Sequence, residues 1–273
     1  MDGRSDIPGM RIGLLSLLLL LLVCGTASAV EPKAKTPAGS RDAVRLAALS
    51  FIEPNGTQRE VMEVWSNGTV KAFELSGTPQ NPVQITHTDR LSPTELRSLH
   101  QQLIEDYQLA TQTSDRLREA INVASVEQQL SANIESAAAS EIGVLVGREW
   151  RTVTCPAVSI LATRFPQVTE VQNFAAAQSR LQNVAAVALL GGARAADQQA
   201  ATATHKLKEM HPEAGVITRR DLLMVRRLPN ESRIVQFRYA GPPGADEGYL
   251  VNMTQSPEGP TRVSVMDSPT VVR

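Results

Sequence analysis

The sequence predicts an α+β fold, in which antiparallel strand meanders and separate helices pack on one another. Three observations predict it. Short runs with strand-like alternation, bounded by Asn-Gly, Pro-Asn-Gly and Pro-Pro-Gly breaks, cluster near both ends of the chain. A long middle stretch carries apolar residues at helical spacing. Tight links between successive runs read as antiparallel pairing.

Residues 1–29 read as a signal peptide. Arg11 precedes an apolar run from Ile12 to Cys24, and Ala27-Ser28-Ala29 supplies small residues before a cleavage between Ala29 and Val30. Crossing a bilayer takes roughly 20 apolar residues. This run is shorter, so removal is expected and contact with the membrane only transient. Lipidation at Cys24 is disfavoured, because Val23 stands where that signal wants a small residue. Residues 30–42 are polar, with Pro and Gly, and read as a flexible lead-in.

From Ala43 the pattern becomes strand-like. "AVRLAALSFIE" runs to the turn "PNGT", and "REVMEVWS" and "TVKAFEL" flank Asn67-Gly68. A two-residue type I′ turn there sets Trp65 opposite Val70 and Met62 opposite Phe73. Val64 and Leu75 then join Met62 and Phe73 on the expected core face. "VQITH" reads as a fourth strand. "LSPTEL" opens a helix, with Ser92 as cap, Pro93 at the first position and Glu95 completing a capping box. Residues 43–110 therefore form a β-meander plus helix module. Four Asn-x-Ser/Thr sequons occur, at Asn55, Asn67, Asn230 and Asn252, and the first two coincide with turns.

Residues 111–192 read as a mostly helical middle with one short hairpin. Residues 113–140 suit either a helix or a linker. "IGVLVGREWRTVTC" is the hairpin, turning at Gly147-Arg148-Glu149, and "QVTEVQNFAAAQSRLQNVAAVALLGG" is the clearest helix, stopped by Gly191-Gly192. Residues 193–204 read as a linker or a soft helical lead. Residues 205–273 read as a short helix followed by four strands in a second antiparallel meander.

Composition narrows function. Twenty-seven Lys and Arg against 28 Asp and Glu leave a net charge of −1, which argues against a nucleic-acid binder. Of two cysteines only Cys155 survives cleavage, so no internal disulfide forms. A nucleophilic Cys155 requires a nearby base, and His87, His100, His205 and His211 lack motif context, so a buried free thiol is the plainer reading. No metal-ligand spacing, Gly-x-Ser-x-Gly elbow or phosphate loop is present, and no cofactor is implied. Arg219, Arg220, Arg226, Arg227, Arg233 and Arg238 crowd the start of the second meander. They read either as an anion-binding face or as a solvated sheet face. Trp65 and Trp150 sit beside turns, as partner anchors or as closures of a small core.

The hairpin from Val64 to Val70, followed by the "LSPTEL" helix start from Leu91 to Leu96, resembles the emfourin type of small proteinase-inhibitor module. The resemblance covers about a quarter of the chain, and the remainder resembles uncharacterised exported proteins. It implies inhibition of an extracellular metalloproteinase and transfers no inhibitory residue. The reading as a whole is of a secreted or periplasmic, non-enzymatic protein that binds another exported protein. Trp65, Trp150, Arg226 and Arg227 are its candidate contacts. The alternatives are a proteinase inhibitor, an enzyme with a dispersed site, and a structural component of the envelope.

Overall fold

Two antiparallel sheets share one long helix. The computed structural model describes residues 43–78, 81–134, 136–228, 230–241, 247–257 and 259–269. The expected signal peptide, its Ala29/Val30 cleavage and the 30–42 lead-in lie outside them. The described residues fall within one compact unit, Ser40–Arg273. Their sheets and helices make the fold α+β.

The first sheet has six strands in the order β4-β3-β2-β1-β5-β6. They are β1 (Arg45–Ile52), β2 (Gln58–Trp65), β3 (Thr69–Thr78), β4 (Asn81–Arg90), β5 (Ala139–Val146) and β6 (Glu149–Pro156). The hairpin expected inside the helical middle is thus part of the first sheet, where β5 pairs antiparallel with the free side of β1. Its turn is tight, with Val146 opposite Glu149 around Gly147-Arg148.

The β2–β3 register differs from the expected one by a residue. Val64 pairs with Val70 and Met62 with Ala72, so Ser66-Asn67-Gly68 form a three-residue link. Gly68 adopts φ +84°, and a Cβ there would lie 2.6 Å from the Leu91 carbonyl oxygen. Its own carbonyl accepts from the Leu91 amide at 2.9 Å, which ties the hairpin tip to the start of the first helix. A slip of one residue exchanges the two faces of a strand. The core face is therefore Met62, Val64, Val70 and Ala72, while Leu75 is 45% exposed and Phe73 is only half-buried. Asn55, Asn67 and Asn230 each accept, through the side-chain oxygen, from the amide two residues on, so three of the four sequons are Asx turns.

One face of this sheet is covered by α1 (Pro93–Gln101), α2 (Ser114–Gln128), α3 (Val158–Arg164) and α4 (Thr169–Leu189) around a single core. The capping box forms as the sequence predicts, with Ser92 Oγ accepting from the Glu95 amide and Glu95 Oε2 from the Ser92 amide. The regular α-helix ends at Gln101. It widens into a π turn over Gln102–Asp106, closed by a Tyr107 amide to Gln102 carbonyl bond of 2.9 Å. Of the ambiguous 113–140 stretch, Ser114–Gln128 is helix, buried through Leu117, Ile121 and Ala124.

Helix α4 is the spine of the molecule, packing on β3 of the first sheet and on the strand Leu222–Arg227 of the second. Val171, Phe174 and Leu181 point into the first core, and Ala186 into the second. Fully burying an aromatic such as Phe174 contributes about 3 kcal/mol. The segment read as a linker over 193–204 is helical, within α5 (Ala193–Met210). Ala196, Ala200, Ala203 and Leu207 form its buried stripe, and alanine-only spacing is a faint signal in a sequence. The second sheet is the expected meander, β7 (Leu222–Arg227), β8 (Arg233–Tyr239), β9 (Glu247–Gln255) and β10 (Arg262–Pro269), paired in sequence order. Val235, Phe237, Val251 and Met253 are its buried face.

Candidate binding surface

The helices cover one face of the six-stranded sheet and leave the other open. Strand register draws one line across that open face. Lys71 on β3 pairs with Glu63 on β2, Glu63 with Ala48 on β1, Ala48 with Gly143 on β5, and Gly143 with Thr152 on β6. The two small residues leave a depression, and Trp150 lies in it. A Cβ on Gly143 would stand 2.2 Å from Trp150 Cζ2, so only glycine lets the indole rest on the backbone.

Two cations of this face have partners inside the protein. Arg45 donates to Glu63 Oε1 at 3.0 Å, and its guanidinium carbon lies 4.4 Å from the Trp150 ring centroid. The Lys71 ammonium lies 5.0 Å from the Trp65 centroid. Such contacts contribute about 0.5–1 kcal/mol where water reaches them. Above the line runs a groove of about 980 Å³, from Leu75 and Gln84 past Ser50 to Glu141 and Trp150.

Trp65 and Trp150, far apart in sequence, thus share one surface. Trp150 is 37% exposed and suited to contact. Trp65 is half-buried, with its indole Nε1 enclosed and unpartnered among the described residues. The candidates Arg226 and Arg227 do not join them. They lie on β7 of the other sheet, Arg226 exposed and Arg227 3.9 Å from Glu231. The arginine crowd itself disperses. Arg219 pairs with Glu95 at 2.8 Å and Asp197 at 3.3 Å, while Arg220 and Arg238 line a separate cleft together with Arg180. Arg180 escaped the sequence reading because it sits within a helix whose apolar stripe was the only evident signal.

Cys155 is fully buried on the core side of β6. Desolvation pushes its thiol up to about 12, the reverse of what a nucleophile needs. The histidines are engaged elsewhere. His87 meets Glu74 at 3.0 Å, His100 donates to the Leu145 carbonyl at 2.9 Å, His205 meets Glu209 at 3.1 Å, and His211 packs on Tyr249. Among the described residues no three His, Cys, Asp or Glu side chains converge as metal ligands, and no helix is long and apolar enough to cross a membrane. Comparison with protein-family models, curated proteins and solved structures gives no match to this chain.

Proposed function

We propose that this is an exported, non-enzymatic protein that binds another exported protein on the open face of its six-stranded sheet. The observation that carries the reading is Trp150, an aromatic ring held on Gly143 and Arg45 and still open to solvent. A flat, pre-placed aromatic beside settled charges loses little entropy on contact and is the kind of residue that dominates protein interfaces. The signal-like N-terminus supports export, and the buried, high-pKa Cys155 speaks against thiol chemistry.

The test is a crosslinking capture from the exported fraction of the protein's own host, using the chain from Val30 onward and its Trp150→Ala form side by side. The ring lies at the surface, so the substitution leaves the fold intact at a cost of about 1–2 kcal/mol. Loss of a stoichiometric partner in the variant supports the reading. Equal capture by both forms removes the open face from consideration. A proteinase as the captured partner selects the inhibitor reading implied by the resemblance of Val64–Val70 and Leu91–Leu96. Bait crosslinked only to itself selects a structural role in the envelope.

A further inference from the structure

A second opening lies where α1, its π turn and α4 meet the start of the small sheet. It is a cleft of about 630 Å³, within the range of small-molecule sites. Three guanidinium groups line it, from Arg180 on α4, Arg220 in the turn before β7 and Arg238 on β8. Three hydroxyls join them, from Ser98, Ser179 and Tyr107.

Arg180 is the fixed member. Its Nε donates to Gln102 Oε1 at 3.2 Å and its Nη1 to Asn183 Oδ1 at 3.1 Å, both neutral acceptors. Its Nη2 makes no hydrogen bond among the described residues, and none of its nitrogens is both enclosed and unpartnered. Asn183 is anchored in turn, donating through Nδ2 to the Arg219 carbonyl at 2.8 Å and the Leu222 carbonyl at 2.9 Å. The π turn matters here, because it sets Gln102 and Tyr107 on the cleft wall, and interruptions of this kind recur at functional sites.

One acid lines the cleft, Asp221, against three guanidinium groups. None of Arg180, Arg220 and Arg238 has a carboxylate within ion-pair distance among the described residues. The acids nearby are committed. Asp221 Oδ2 accepts from the Thr218 amide at 2.7 Å and the Thr218 hydroxyl at 2.8 Å, and Glu95 is held by Ser92 and Arg219. Burial lowers the Arg180 pKa, Tyr107 and Glu95 work against that, and the charges of Arg220 and Arg219 add to it, so the cations feel one another. Guanidinium groups stay protonated at any physiological pH, so three of them against one lining carboxylate leave the cleft with an excess of positive charge.

We propose that this cleft binds a small organic phosphate, with Arg180 Nη2 at its floor and Arg220 and Arg238 closing on the phosphoryl oxygens from the exposed rim. A phosphate monoester carries close to two negative charges and three acceptor oxygens, which matches a fixed guanidinium fork, two mobile ones and the hydroxyl donors. The site is separate from the open face of the large sheet, and it stands whether or not that face binds protein.

Calorimetric titration of the chain from Val30 onward, which contains the whole compact unit, with glycerol 3-phosphate and with glucose 6-phosphate tests it. Citrate and chloride serve as comparison anions. The expected result is saturable binding at one site per chain for both phosphates. Affinity should fall roughly 10-fold or more in Arg180→Gln and in the paired rim variant Arg220→Gln/Arg238→Gln, and stay unchanged in Arg226→Gln. The rim residues are exposed, so their removal leaves the fold standing even where Arg180→Gln does not. Absence of saturable binding at millimolar phosphate overturns the proposal. So does binding that the rim variant leaves intact, or citrate binding more tightly than both phosphates.

Discussion

The groove on the open sheet face and the cleft beside α4 differ in how their charges are settled. On the open sheet face every named cation has a partner inside the protein, Arg45 with Glu63 and Trp150, Lys71 with Trp65. In the cleft three guanidinium groups gather around a single lining carboxylate, Asp221, which is held by Thr218 and forms an ion pair with none of them. A cation already held by a carboxylate or an aromatic ring gains less from a counter-ion than an unpaired one. The same chain thus builds one surface suited to a macromolecular contact and one suited to an anion.

The largest expected effect comes from breaking the support of the cleft while sparing the face. Asn183 is 7% exposed and holds the turn before β7 through the Arg219, Arg220 and Leu222 carbonyls while receiving Arg180. Asn183→Ala should cost about 3 kcal/mol, because it leaves buried acceptors unpaired and removes an anchor for Arg180. Urea denaturation measures that loss. Trp150 fluorescence should keep its emission maximum in the folded variant if the two openings are independent.

The converse substitution is Gly143→Ala. The added methyl group would collide with the Trp150 ring, so the indole must leave the backbone and its contact with Arg45. A stability loss of about 1–2 kcal/mol is expected, with a red-shifted tryptophan emission and loss of partner capture. Phosphate affinity should not change. An unshifted emission would show that the ring is not held on Gly143.

The smallest effect concerns Glu95, which stands beside the cleft and is paired away from it. Hydrogen bonds from the Ser92 side chain and backbone, then the charge of Arg219, hold its carboxyl below the ordinary value of 4.5. A depressed carboxylate contributes stability that is complete above its unfolded pKa and is lost as pH falls through the folded one. Wild type should therefore lose slightly more stability than Glu95→Gln on acidification below about pH 4.5. The difference should stay under about 1 kcal/mol, since the group is well exposed and screened. Parallel acid titrations of melting temperature would show it, and identical acid limbs would mean that the Arg219 pair adds nothing.

Much of the fold was legible because local chemistry carries it. The Ser92–Glu95 capping box, the Gly147-Arg148 hairpin and the four-strand C-terminal meander follow from cap residues, turn residues and alternation. Legibility failed where two local solutions lie close in energy. Asn67-Gly68 serves a two-residue or a three-residue link, and the contact of Gly68 with Leu91 selects the second, which moves Leu75 out of the core and Val70 into it. The segment 193–204 has too little apolar content to read firmly as a helix, yet its alanines let α5 approach the second sheet closely. Of the site residues, the tryptophans were visible as rare aromatics beside turns. Arg180 was not, since one arginine in an amphipathic helix has no distinguishing mark.

By itself the sequence determined the class of the fold, the strand and helix content of each end, the capping and turn devices, and a thiol, Cys155, without a motif around it. Those properties depend on neighbours within a few residues. Tertiary structure alone decided that β5 joins the first sheet beside β1, that Trp65 and Trp150 share a face, and that Arg180, Arg220 and Arg238 meet in one cleft. Each of these brings together residues tens of positions apart. The choice among such pairings rests on the burial of whole faces against α4, a quantity no short window of sequence contains.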